Sequence, residues 1–154
     1  MCMSRFTFFI FLIFPFSDVF TQTTFEIESE VFRLINQHRE SIGVKPLISS
    51  DIINFEARKH SANVASGNTS YGHHGFKQRA GRVRRVVKCG AMGENITRVF
   101  SLEIARSALN SWLSSKGHRE NLENPTYTLS GVGAARTKSG MFYITQIFAE
   151  KQYN

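Results

Sequence analysis

The stretch from Gly131 to Phe148 places the tightest constraint on how this chain can fold. Gly131-Val132-Gly133-Ala134-Ala135 and Met141-Phe142-Tyr143-Ile144-Thr145-Gln146-Ile147-Phe148 are two short apolar runs, the second dense in aromatic and β-branched residues. Thr137-Lys138-Ser139-Gly140 separates them. Strand-forming runs on either side of a short polar turn that ends in glycine make an antiparallel hairpin.

Helical periodicity dominates what comes before. From Phe25 to Ser41, Ile27, Val31, Leu34, Ile35 and Ile42 recur at helical spacing, until Gly43 stops the helix and Pro46 prevents its resumption. Ser49-Ser50-Asp51 supplies N-caps for a second helix through Ile52, Ile53, Phe55, Ala57, Ala62 and Val64, ended by Gly67. A third runs from about Ser101 through Ile104, Ala105, Ala108, Leu109 and Trp112 to near Ser115. Residues 67 to 93 are glycine-rich and basic with little periodicity, and read as a long connecting loop with one short helical turn. Helices early and strands late indicate an α+β domain, with helices laid against an antiparallel sheet.

The chain has 154 residues, enough for one domain with a real core. Its beginning does not belong to that core. Arg5 precedes the apolar run Phe6 to Phe16, the n-region and h-region pattern of a secretory leader, too short to cross a bilayer comfortably. Cleavage is expected between Phe16 and Phe25, so residues 1–22 are assigned to the leader and 25–150 to the exported domain. Of two cysteines, Cys2 falls in the leader; Cys89, left alone, is expected to be buried and can form no internal disulfide. The sequons Asn68-Thr69-Ser70 and Asn95-Ile96-Thr97 differ in setting, the first in a polar loop and the second inside a motif.

Net charge is +7, and much of the excess is local. Lys77, Arg79, Arg82, Arg84, Arg85 and Lys88 form a basic run that either is a solvated loop or docks an anionic surface such as a membrane or acidic polysaccharide. No aromatic residues alternate with these charges, which argues against nucleic acid.

Chemistry is concentrated in three islands: Tyr71-Gly72-His73-His74-Gly75-Phe76, Gly93-Glu94-Asn95-Ile96, and Trp112 to Leu122, which contains Gly117-His118-Arg119-Glu120-Asn121. Two imidazoles and a carboxylate, His73, His118 and Glu94, are a legitimate zinc ligand set with an open position. The same set can perform acid–base work, or can simply satisfy hydrogen bonds where loops cross. Their spacing carries no local metal signature. Ser114 and Ser115 lie near His118, but no Gly-x-Ser-x-Gly elbow marks a serine hydrolase.

Taken in order, these islands resemble the CAP superfamily of secreted proteins: cysteine-rich secretory proteins, antigen 5 and pathogenesis-related proteins. The resemblance begins near Leu34-Ile35-Asn36-Gln37-His38-Arg39 and Pro46-Leu47. It runs through His73-His74-Gly75-Phe76, Gly93 to Ile96 and Trp112 to Leu122, and ends with Gly131-Val132-Gly133 and Tyr143 to Phe148. The form Gly-His-Arg-x-Asn-Leu and the lack of disulfides are similar to the bridge-free, bacterial-type branch.

The resemblance implies an α-β-α sandwich around a central antiparallel sheet, with a polar cleft. In the disulfide-rich branch that cleft holds two histidines and two glutamates and can bind a divalent metal. His73 matches the first histidine and Glu94 the first glutamate. Ser115 stands at the second glutamate position and Tyr143 at the second histidine position, with His118 as the nearby imidazole. Tyr143 and Gln146 are then expected in the cleft wall, and His73 and His118 as the ligands of any zinc. The resemblance further implies a secreted, monomeric binding module for a lipid, a sterol or a surface partner. A metal-dependent hydrolase with Glu94 as base is the alternative.

Overall fold

A computed structural model describes residues 22–152. The expected leader therefore lies outside the described residues, except for Gln22. Five helices and four strands follow in the order α1 (Thr24–Ser41), β1 (Ile48–Ser49), α2 (Asp51–Ala65), α3 (Phe76–Val86), β2 (Cys89–Val99), α4 (Ile104–Ser114), α5 (Lys116–Glu123), β3 (Leu129–Arg136) and β4 (Phe142–Lys151).

The expected hairpin is present: β3 and β4 pair antiparallel from Leu129↔Ala149 to Arg136↔Phe142. β2 joins the other side of β4, also antiparallel, and two-residue β1 pairs parallel with β3, giving the order β1-β3-β4-β2. β2 is thus an edge strand.

Alternation along the strands separates two faces. One face carries Val132, Ala134, Phe142, Ile144 and Phe148 against α1, α4 and α5; the other carries Leu129, Ile147 and Ala149 against α2 and α3. The result is a three-layer α-β-α sandwich. α1 opens with a capping box in which Thr23 Oγ1 accepts from Glu26 N–H and the Glu26 carboxylate accepts from Thr23 N–H. Its stripe Ile27, Val31, Leu34 and Ile35 is buried, as the spacing predicts, whereas Ile42, also expected on it, is the C-cap and lies exposed; Trp112 is fully enclosed on α4. Cys89 is buried and has no disulfide partner among the described residues.

Arg39, near the end of α1, is 1 % exposed and donates to the carbonyls of Lys45, Leu122, Asn124 and Tyr127. One guanidinium thus ties the α1–β1 turn to the α5–β3 connection, using the planar fork of donors that only arginine offers.

The loop expected over residues 67 to 93 is where sequence and structure part. Most of it is α3 and the start of β2. Phe76, Ala80, Val83 and Val87 do recur at helical spacing, but six basic residues around them obscure the apolar stripe. Burial of Ala80 and Val83 against α2 and the sheet stabilises a helix that composition alone disguises. α5 was likewise not evident, since Leu122 is the one buried residue on it.

Candidate functional site

The island Gly93 to Ile96 is not a loop but the middle of edge strand β2. Strand alternation sends the side chains of Glu94 and Asn95 to opposite faces, with Glu94 opposite Ile147 and Asn95 opposite Gln146. One dipeptide can therefore fasten elements on both sides of the sheet.

On the α2/α3 face, Glu94 meets Arg79 from the first turns of α3. Arg79 Nε donates to Glu94 Oε2 at 2.9 Å and Arg79 Nη2 to Oε1 at 2.8 Å, a fork-to-carboxylate pair. His73 Nδ1 donates to Oε1 at 3.0 Å. The Glu94 side chain is only 1 % exposed and that of Arg79 7 %, whereas the His73 side chain is 51 % exposed. The imidazole is thus held on one edge by a buried carboxylate and presents the rest of its ring to solvent. Gly75 makes this geometry possible. It caps α3 at φ 76°, in the left-handed region, and a side chain there would crowd Arg79 Nη1 at 3.3 Å. That same nitrogen donates to the His74 carbonyl at 2.7 Å.

On the other face, Asn95 Nδ2 donates to the His118 carbonyl at 2.9 Å and Asn95 Oδ1 accepts from Asn121 Nδ2, also at 2.9 Å. These bonds clamp α5 to β2 and bring His118 around the open strand edge, where its ring lies 6.3 Å from that of His73. Nδ1 of His118 is buried with no partner among the described residues. Tyr71, two residues before His73 in the chain, is in tilted contact with Tyr143, their ring centroids 5.9 Å apart. The Arg98 guanidinium lies 5.7 Å from the centre of the Tyr71 ring. His73, Glu94 and His118, three of the residues expected in the cleft, thus meet at the β2 edge, while Tyr143 stands on the inner strand β4 and reaches Tyr71.

Gln146 does not join them. Gln146 lies on the α1/α4/α5 face, completely buried, with Nε2 donating to Ser130 Oγ at 3.0 Å; the parity of β4 separates it from Tyr143. Ser115 sits at the junction of α4 and α5, one turn before His118, and makes no side-chain capping bond.

The basic run is split as well. Arg79 and Arg82 turn inward to carboxylates, Arg82 making a bidentate pair with buried Glu56 at 2.7 Å. Lys77, Arg84, Arg85 and Lys88 stay exposed, with Arg84 donating to the Gly90 carbonyl. Sequence reasoning grouped Arg79 with the charge run and missed its role; its placement after His73-His74-Gly75 was the available signal. Asn95 is 0 % exposed with its amide bonded, so that sequon is closed in the folded chain, while Asn68 is exposed.

The donor set does not fit a divalent metal. A catalytic zinc needs three protein ligands with free lone pairs. Here Glu94 already accepts three hydrogen bonds, two of them from a cation that a second cation would have to displace. Among the described residues no group of three His, Cys, Asp or Glu side chains is placed to hold an ion.

Two histidines near the site are pushed toward the neutral form. Burial lowers the pKa of His60, with a further contribution from Arg79, and its ring Nε2 donates to the Gly72 carbonyl at 2.9 Å. Burial also lowers His118, followed by the charge of His73. Each folded value lies below the ordinary imidazole value of about 6.5. Their stabilising contribution is therefore complete above about pH 6.5 and is lost as pH falls through the depressed folded values. The melting temperature is expected to drop between pH 7 and 5, less steeply in His60→Gln. A slope identical in the two proteins would refute the assignment to His60.

A family model, the cysteine-rich secretory protein family (CAP), matches residues 32–148. The uncharacterised protein YkwD of Bacillus subtilis is 28 % identical over 116 residues, covering 73 % of this chain and 44 % of YkwD. An extracellular protein containing an SCP domain from Bacillus anthracis is 29 % identical, with a TM-score of 0.66, over 81 % of this chain and 40 % of that one. A cysteine-rich secretory protein from Staphylococcus aureus is 20 % identical with a TM-score of 0.68, over 84 % and 40 %. The chain thus spans less than half the length of these relatives.

Proposed function

The chain belongs to the cysteine-rich secretory protein (CAP) family, and from that premise we propose that it is an exported domain that binds a ligand at the β2 edge without transforming it. One observation carries this reading: Glu94 is sealed from solvent and accepts from both Arg79 and His73. A general base must reach the proton it removes, directly or through one water. A carboxylate that is 1 % exposed and occupied on both oxygens holds His73 in orientation instead.

What remains accessible suits recognition. His73 and Tyr71 are exposed, Tyr143 is half-buried, and Arg98 extends the same wall. Aromatic rings with a polar rim accept the apolar body and polar head of a lipid or sterol. The exposed Lys77, Arg84 and Arg85 on α3 add attraction to an anionic surface that would carry such a ligand. Export is supported by the basic and apolar start of the chain and by the extracellular relatives; among the described residues no helix is long and apolar enough to cross a membrane.

The test uses the purified domain, a sterol and fatty-acid panel, and vesicles with and without anionic lipid. Saturable binding weakened at least about tenfold by Tyr143→Ala, or roughly 1.4 kcal/mol, is expected. Absence of any retained or acquired hydrophobic ligand would remove the lipid reading. Hydrolysis abolished by Glu94→Gln would remove the non-catalytic one.

A further inference from the structure

We infer that Arg79 holds the place of a resident cation beside His73, so that a guanidinium built into α3, and not a bound metal, joins Glu94 to the His73 segment. Each of its three nitrogens donates there: Nε and Nη2 to the two oxygens of Glu94 at 2.9 and 2.8 Å, and Nη1 to the carbonyl of His74 at 2.7 Å. A metal at this position would do the same two things, neutralising the carboxylate and anchoring the loop that carries His73. The guanidinium does both with fixed geometry, and it cannot dissociate or be chelated.

Burial strengthens the assignment. Arg79 is 6 % exposed and Glu94 5 %, so the positive charge is enclosed with one negative charge and the pair is neutral. A divalent ion added to this pair would leave two or more uncompensated charges in a desolvated site, a costly arrangement. The rest of the structure accommodates the arginine specifically. Gly75 leaves room beside Nη1, and α3, four residues later, directs the side chain back at the strand. The residues at the two remaining family positions, Ser115 and Tyr143, fit the same reading, since neither supplies the negative charge or the imidazole that an ion would need.

Zinc titration by calorimetry and thermal unfolding, with zinc sulfate as the probe, tests it on the wild-type domain, Arg79→Ala, and Arg79→Ala combined with His73→Ala. The wild type is expected to take up no stoichiometric zinc and to melt at the same temperature with and without it. Arg79→Ala is expected to melt lower, to bind one equivalent of zinc at least tenfold more tightly than wild type, and to recover part of the lost melting temperature. The His73→Ala combination should abolish that gain. If Arg79→Ala does not fold alone, refolding with zinc reads the same outcome. A wild type that binds one zinc lost on His73→Ala overturns the inference, and so does an Arg79→Ala protein that zinc neither binds nor rescues.

Discussion

Gly133→Ala is expected to cost at least about 4 kcal/mol, or to leave no folded protein, in a urea or thermal unfolding measurement. A Cβ at Gly133 would stand 2.1 Å from the amide nitrogen of Arg58 and 2.3 Å from the carbonyl carbon of Ala57, both backbone atoms of α2. At Gly131 the corresponding distances are 2.2 Å to Asn54 N and 2.4 Å to Ile53 C. Helix backbone cannot give way as a side-chain tip can, so α2 would have to lift from the sheet. That would unseat Ile53 and Ala57 from the cluster they form with Leu129, Ile147 and Ala149. It would also break the bond from Ser61 Oγ to the Gly133 carbonyl, 2.8 Å, and that from Val132 N–H to Asn54 Oδ1, 3.0 Å. Gly81→Ala is the control: it lies within α3 with nothing inside 4 Å of the added carbon, and should stabilise by about 0.5–1 kcal/mol. A loss below about 1 kcal/mol at Gly133 would show that α2 does not rest on β3 as described.

Glu94→Ala is expected to destabilise the domain by about 3–5 kcal/mol, because it leaves the Arg79 guanidinium buried without its counter-charge. Removing both partners together should cost much less. In the combination Glu94→Met with Arg79→Met, two apolar side chains of similar length replace a desolvated ion pair, an exchange that is often neutral. A double-mutant cycle in chemical denaturation therefore gives a large coupling between positions 79 and 94. His73→Ala alone should change stability little, since half of that side chain is in solvent and its bond to Glu94 is the outer one. Additive losses at 79 and 94 would contradict the buried pair; a large loss at 73 would contradict its peripheral place.

Much of the layering could be read directly from the residues. The hairpin read over residues 131–148, most of the apolar stripe of α1, the placement of Trp112 in the core and the α+β class all follow from periodicity and turn chemistry, and each agrees with the structure. α3 escaped because its apolar positions are few and its charges many, so its formation depends on the surface it lands on. α5 escaped because it is held by Asn95 and Asn121, polar contacts that carry no periodic signal. His73, Glu94 and His118 were legible as a set of residues through the family motifs. Their organisation was not.

The residues by themselves determined the family, most of the helical and strand periods, and His73, Glu94 and His118 as candidates for one polar group. Only the tertiary structure decided what Glu94 does there. Strand parity on β2 sends Glu94 to one helical layer and Asn95 to the other, and parity on β4 puts Tyr143 on the Glu94 face while burying Gln146 on the opposite one. It also took an arginine from what looked like a solvated basic run and enclosed it against the one carboxylate of the site. Such a pairing depends on three-dimensional proximity and on desolvation, and neither is written in the spacing of residues 79 and 94.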